Sequence, residues 1–110
     1  MTDLEIAPGV VAWFVRSREQ GGHHPVLVVA SEGYLDAVTT LAIVLPITSV
    51  DRGWPNHVRV EGASGLESPS WIMTEQPRTL TRERLTGIAG AVSDGCLLRV
   101  RTWLGDFLDL

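Results

Sequence analysis

The chain has 110 residues, a formal net charge of −4, 45% hydrophobic residues and 20% charged residues, a composition typical of a globular protein. This length predicts one domain over residues 1–110. The single cysteine excludes an internal disulfide, and no apolar run approaches the roughly 18 residues that would cross a bilayer. Because the N-terminus lacks a basic and apolar leader, we expect a cytoplasmic protein that does not associate with membranes.

The acidic charge balance argues against long-range attraction to nucleic acid, but a local groove can still be positive. All nine basic residues are arginine, and a guanidinium group suits phosphate oxygens better than a lysine ammonium group does. A GC-rich genome that favours arginine codons explains the same bias. Composition therefore leaves the kind of partner open.

Apolar runs rich in β-branched and aromatic residues predict three strands in the first half of the chain, over residues 9–15, 26–30 and 39–44. A polar, glycine-containing loop separates the first two at residues 16–24, and Pro25 opens the second strand. Residues 32–38 allow one helical turn. Pro46 marks the end of the third strand or an edge position, and residues 51–56 (DRGWPN) predict a turn.

Shorter strands are predicted at residues 58–60 and 71–73, with a short extension at 79–80. The hydrophobic period then becomes helical, with Ser93 as N-cap, Cys96 as a buried thiol, and apolar residues at Leu97, Val100, Leu104, Phe107 and Leu108. Five short strands followed by a C-terminal helix predict a mainly β (α+β) fold, a small bent barrel closed by that helix.

Several segments resemble motifs of the MazF/PemK toxin family, in the order that the family has them. They are GVV at residues 9–11, EQGGHHPVLV at 19–28, PITS at 46–49, PNHV at 55–58 and EQPRT at 75–79, followed by Arg84-Leu85 and Gly90. Each motif alone is weak, but their common order over residues 9–90 is a specific signal. The resemblance implies an SH3-like β-barrel with short helices and a C-terminal helix.

The resemblance also implies a homodimeric endoribonuclease that cuts single-stranded RNA at short sequences, without a metal or other cofactor. In such a reaction the 2′-hydroxyl attacks the adjacent phosphate and leaves a 2′,3′-cyclic phosphate and a 5′-hydroxyl. A cognate antitoxin restrains toxins of this type by laying an acidic, apolar and partly disordered tail across the RNA groove.

The family arginine that precedes the Pro-Val-Leu strand is replaced here by His24. A histidine can serve as base, acid or phosphate partner, so that cleavage continues with a pH dependence. Loss of the permanent charge can instead leave a binding protein, and a histidine at a loop end can also be a plain surface residue. The adjacent His23 is assigned to RNA binding. No third His or Cys completes a metal-ligand spacing with this pair, which predicts no metal site.

By resemblance, the Thr48 hydroxyl holds the scissile phosphate, with Ser49 beside it, although strand-end hydroxyls commonly satisfy only the backbone. Glu19 assists catalysis by the same resemblance, and Gln20 contacts RNA from the same loop, for which a solvated polar loop is the simpler alternative. These assignments make His24, Thr48 and Glu19 the candidate catalytic residues.

Gln76 can contact a base edge and Arg78 a phosphate, unless Arg78 pairs with Glu75 or Glu83. Among the tryptophans, Trp54 in the turn cluster is the candidate for RNA contact. Trp13 and Trp71 lie in predicted strands and are expected in the core.

Two alternatives remain open on the same barrel. One is a CcdB-like gyrase-binding toxin, which acts through a C-terminal Trp-Gly pair that Trp103-Leu104-Gly105 matches poorly. The other is a relative without catalysis, suggested by His24.

Overall fold

A computed structural model of the chain describes residues 5–16 and 22–110. Within them the backbone forms seven strands, two α-helices and a 3-10 turn at Arg82–Arg84. The strands are β1 (Val10–Phe14), β2 (His24–Val28), β3 (Leu41–Thr48), β4 (His57–Arg59), β5 (Trp71–Met73), β6 (Arg78–Thr81) and β7 (Leu85–Ala91), and the helices are α1 (Glu32–Ala37) and α2 (Asp94–Leu108).

The strands form an antiparallel sheet in the order β4-β5-β3-β2-β1-β7, with β6 paired to the first half of β3. Both β5 and β6 pair with β3, but the chain between them leaves it. Five residues separate Ile72 from Arg78, whereas only two separate their partners Ile47 and Val44. The β5–β6 side is therefore three residues longer than the stretch of β3 that it pairs with. We call the four residues between the two strands, 74–77, the bulge.

Each face of the sheet carries its own core, because successive side chains of a strand point to opposite faces. The α2 face contains Val11, Leu27, Leu45, Ile47, Val58 and Ile72, packed with Cys96, Leu97 and Val100 of α2. The α1 face contains Ala12, Val26, Val28, Ala42 and Val44, packed with Leu35 of α1. Neither helix of the described residues is long and apolar enough to cross a bilayer.

Serine side chains start both helices. The Ser31 hydroxyl accepts a hydrogen bond from the Tyr34 N–H at 3.0 Å, and the Ser93 hydroxyl accepts one from the Cys96 N–H at 3.2 Å. These bonds satisfy amide groups that have no partner inside the first helical turn. The predicted C-terminal helix and its Ser93 N-cap are confirmed.

The mainly β fold with a C-terminal helix is confirmed, but strand pairing does not close the sheet. In the part of the chain that the structure describes, the terminal strands β4 and β7 do not pair. The loop after β4 fills the gap instead, because the N–H groups of Ala91 and Ser93 donate to the carbonyls of Ala63 (3.0 Å) and Glu61 (2.8 Å). This approach requires Gly90, where a Cβ would lie 2.2 Å from the Ala63 oxygen.

Strand β7 was missing from the sequence prediction. Its sequence, LTGIAGA, contains two glycines and two alanines, which have low β propensity. The glycine at position 90 is required by the loop that packs against it. A long-range contact therefore places a residue of low β propensity in the strand, and a local sequence pattern does not reveal it.

Pro46 lies inside β3, where the prediction ended the strand or placed an edge. The Val29 N–H donates to the Ile43 carbonyl at 3.0 Å. Because hydrogen-bonded pairs alternate along an antiparallel ladder, Pro46 and its partner Val26 form a non-hydrogen-bonded pair. The ring nitrogen of Pro46 therefore points to the gap beside the bulge, where no amide hydrogen is required.

Candidate functional site

His24 and Thr48 lie at neighbouring ends of two paired strands. The β2–β3 ladder pairs Val28 with Val44, Leu27 with Leu45 and, as its last pair, Val26 with Pro46. The same register continued for two residues beyond that pair sets His24 opposite Thr48. Both positions share the side-chain alternation of Val26 and Pro46, and therefore the α1 face. His24 is exposed and Thr48 is half-buried. An imidazole and a hydroxyl thus lie on the same face, at adjoining strand ends that solvent can reach.

The Thr48 hydroxyl oxygen accepts a hydrogen bond from the Val50 N–H at 3.1 Å. This local bond is the backbone role expected of a strand-end threonine. It uses only an acceptor site, so the hydroxyl hydrogen remains available to donate. Ser49, the next residue, is exposed.

His23 is directed away from β3. Its Nδ1 lies 3.1 Å from the Thr86 hydroxyl on β7, on the far side of β1. Of the two adjacent histidines, His24 therefore shares the strand face of Thr48, whereas His23 contacts β7. Glu19 and Gln20 lie outside the described residues.

The bulge carries a carboxylate that accepts several hydrogen bonds. His57 Nε2 lies 3.0 and 3.1 Å from the two Glu75 carboxylate oxygens, Asn56 Nδ2 donates to Oε1 at 2.8 Å, and Gln76 Nε2 donates to Oε2 at 3.2 Å. Partial burial by itself raises the pKa of Glu75. Hydrogen bonds from its own backbone N–H, from His57 and from Gln76, together with the charge on His57, outweigh burial and lower the pKa below its usual value.

Arg78 continues this chain of contacts. Its guanidinium donates to the Gln76 side-chain carbonyl at 3.0 Å, and not to Glu75 or Glu83 as the sequence also allowed. Since Arg78 faces Val44, it shares the α1 face with the exposed ends of β2 and β3. A permanent positive charge thus lies on the same side of the sheet as His24.

Trp54 covers the buried imidazole of His57. The ring centroids are 4.8 Å apart, and His57 is 8% exposed whereas Trp54 is 49% exposed. His57 Nδ1 is buried without a hydrogen-bond partner among the described residues. Trp54 therefore combines a structural contact with a large exposed aromatic surface.

Trp13 and Trp71, expected in the core, are half-buried and belong to neither core cluster. Sequence reasoning also missed His57 and Glu75 as parts of the site. Both stand in the family-like motifs PNHV and EQPRT, so the signal was present, but nothing in the sequence shows that the two motifs touch. Residues 5–16 and 22–110 contain no group of three or more side chains arranged to hold a metal ion.

Comparison with known proteins gives a family and a common fold. The family described as "PemK-like, MazF-like toxin of type II toxin-antitoxin system" matches residues 10–108, from the start of β1 to the end of α2. No curated protein sequence matches the chain.

Solved structures of MazF proteins superpose over nearly the whole chain. MazF from Deinococcus radiodurans matches with a TM-score of 0.78 and 26% identity, covering 98% of this chain and 100% of that one. A MazE–MazF structure from the same organism gives a TM-score of 0.80 with 25% identity, covering 98% and 99%. An endoribonuclease in complex with its cognate antitoxin from Mycobacterial species gives 0.77 with 19% identity, covering 100% and 97%. Because the family match spans every strand and helix described above, this chain belongs to the PemK/MazF family of type II toxin–antitoxin toxins.

Proposed function

We propose that this protein is a toxin-type endoribonuclease that cuts single-stranded RNA at selected sequences and is inhibited by a cognate antitoxin. Family membership supports the toxin class, and one of the similar structures is described as an endoribonuclease with its antitoxin. The observation that carries the proposal is that His24 and Thr48 lie on one face at adjoining ends of the paired strands β2 and β3, a face that also holds Arg78.

The proposed reaction is an internal phosphoryl transfer. The imidazole of His24 accepts the proton of the 2′-hydroxyl while the O2′–phosphorus bond forms. The bond from phosphorus to the 5′-oxygen breaks, and that oxygen takes up a proton from solvent and leaves as a hydroxyl, while the His24 imidazolium returns its proton to solvent. The products are a 2′,3′-cyclic phosphate and a 5′-hydroxyl, and no water is consumed.

Charge develops on the non-bridging phosphate oxygens as the transition state forms. Thr48 keeps a hydroxyl hydrogen to donate to one of these oxygens, because its bond to Val50 uses only an acceptor site. Arg78 supplies a permanent positive charge on the same face and so compensates for the charge that His24 lacks relative to the family arginine. Glu19 is assigned a supporting catalytic role by resemblance, with Gln20, His23, Ser49, Trp54 and Gln76 as RNA contacts.

The C-terminal end of α2 supports the proposed homodimer. Phe107 and Leu108 are 49% and 56% exposed, and with Leu104 they line a groove against Pro77 of the bulge. Exposed apolar side chains grouped at one place indicate a protein contact. A second copy bound there would lie next to Glu75, so assembly and the RNA site would be adjacent.

The proposal is tested by incubating the purified protein with a long single-stranded RNA in EDTA and mapping new 5′-hydroxyl ends. We expect discrete cuts whose rate falls about 100-fold or more in His24→Ala and Thr48→Ala. Thr102→Ala is the control for Thr48→Ala, because Thr102 is an exposed threonine on α2 whose hydroxyl bonds only to the Leu98 carbonyl.

Two results would contradict the proposal. Inhibition of gyrase without RNA cleavage would assign the chain to the CcdB-like function. RNA binding without cleavage by the wild-type protein would identify a relative in which the replacement of the family arginine by His24 has abolished catalysis.

A further inference from the structure

Thr48, Trp71 and Arg59 form a row across three strands. Thr48 faces Trp71 between β3 and β5, and Trp71 faces Arg59 between β5 and β4. The residues that alternate with them, Ile72 and Val58, are buried against α2. The row therefore lies on the opposite surface, which continues the α1 face past His24.

Trp71 and Arg59 form a cation–π pair in this row. The guanidinium carbon of Arg59 lies 5.9 Å from the centre of the Trp71 ring, within the distance at which a cation is attracted to an aromatic face. Arg59 is exposed and Trp71 is half-buried outside both core clusters. An indole in the interior would be covered, whereas this one is partly exposed and lies beside a cation.

Positive charge extends along the same strip. The Arg52 guanidinium lies 3.9 Å from the sulfur of Met73. Met73 is two residues after Trp71 on β5 and therefore lies on the same face. Arg52, Arg59 and Arg78 thus flank the outer surface of β5 and the bulge in a chain whose net charge is −4. Arginines around a solvent-accessible aromatic residue are an arrangement that proteins use to bind single-stranded nucleic acid.

We propose that the Trp71–Arg59 pair is the stacking site for the unpaired base of the nucleotide next to the cleaved bond. The inference rests on the proposed function, in which Thr48 binds the scissile phosphate. Facing residues of neighbouring strands have Cβ atoms about 5 Å apart, so the aromatic ring lies one side chain away from that phosphate. The base stacks on the planar pair, and the guanidinium balances the charge of the adjacent phosphate.

The test measures binding in the Thr48→Ala background, at times too short for the slowed cleavage to consume the RNA. A short single-stranded RNA that spans the mapped cut is compared with versions that lack one base on either side of the bond. We expect loss of one of these bases to weaken binding about 5- to 100-fold. In Trp71→Leu, intact and abasic RNA should bind equally weakly, and Trp71→Phe should restore most of the difference.

Arg59→Ala, with Arg101→Ala as a control of equal charge on α2, separates the stacked cation from net charge. Arg59→Ala is expected to weaken binding of the intact RNA more than of the abasic one, and Arg101→Ala to affect neither. Circular dichroism and thermal unfolding establish that each variant is folded, and Trp71→Phe keeps an aromatic ring at the site.

The outcomes distinguish the stacking site from the proposed function. If Trp71→Leu cuts and binds RNA like the wild type, or keeps the full abasic penalty, the stacking site is overturned while cleavage stands. If the wild type binds RNA without cutting it, cleavage is overturned, and Trp71→Leu is still expected to weaken binding to single-stranded oligonucleotides by the same factor. A wild-type protein that does not bind RNA overturns both.

Discussion

His57 and Glu75 join β4 to the bulge, with the imidazole Nε2 3.0 and 3.1 Å from the two carboxylate oxygens. The imidazole is almost completely buried under Trp54, and the carboxylate is about a quarter exposed. Because Glu75 also accepts from Gln76, which accepts from Arg78, this pair fixes the orientation of the side chains proposed to contact RNA.

The Glu75 contacts predict a loss of stability in acid. The pKa of Glu75 is lower in the folded chain than its ordinary value of 4.5, so its ionised form is favoured by folding. This contribution is fully present above pH 4.5 and is lost as the pH falls through the lower folded value. Thermal unfolding between pH 3 and 7 should show this decline.

The decline should be shallower in Glu75→Gln, which has no proton to take up. Glu83→Gln, in the exposed 3-10 turn, is the matched control and should retain the wild-type slope. Equal slopes for all three proteins would mean that the Glu75 contacts do not contribute to the pH dependence.

The contacts of Arg82 with the end of α1 and the start of β3 should stabilise the folded chain. Its guanidinium donates to three backbone carbonyls, those of Leu41 (2.9 Å), Leu35 (2.5 Å) and Val38 (2.8 Å). Arg82→Ala leaves these carbonyls without their donor and should lower the free energy of unfolding by about 2–3 kcal/mol.

Urea unfolding measures this loss. The neighbouring Arg84→Ala, which removes an exposed side chain, should change stability by less than about 0.5 kcal/mol. A loss of similar size in the two variants would show that the three carbonyl bonds contribute little.

The Cys96 thiol is expected to be unreactive while the protein is folded. Burial raises the pKa of Cys96, its side chain is 0% exposed, and its sulfur lies 3.5 Å from the Arg59 carbonyl. Since the thiolate is the reactive form, an alkylating reagent at pH 7 should modify Cys96 only as fast as the chain unfolds. Mass spectrometry with and without urea measures this difference, and rapid labelling without urea would contradict it.

Local sequence patterns predicted the strands and the helix whose own residues carry a clear apolar or capping pattern. The strands around Val11, Leu27 and Ile72 are dense in apolar residues, and α2 has both a helical period and the Ser93 cap. Strand β7 was missed because Gly90 is required by its close contact with Ala63, in a loop distant in sequence.

The candidate site shows the same division. His24 and Thr48 were selected by resemblance, and only the pairing of β2 with β3 brings the ends of their strands together. The contact between His57 and Glu75 depends on the bulge between β5 and β6, which no local sequence pattern predicts. The catalytic and RNA-binding roles assigned to the site residues stay predictions.

Position 24 carries a histidine where the family has an arginine. Histidine is the side chain whose charge normally changes between about pH 5 and 8, whereas arginine stays charged throughout. If His24 accepts the 2′-hydroxyl proton, it must be neutral to act, so kcat/KM should fall as the pH is lowered from 8 to 5.5.

His24→Arg separates the two roles that position 24 can have. The variant should lose the pH dependence over that range, because an arginine side chain stays charged throughout it, while Thr48→Ala should keep it at a lower rate. A flat wild-type profile would exclude His24 as the base. A rate that rises as the pH falls would instead make the imidazolium a cationic partner of the phosphate, the part that we assign to Arg78.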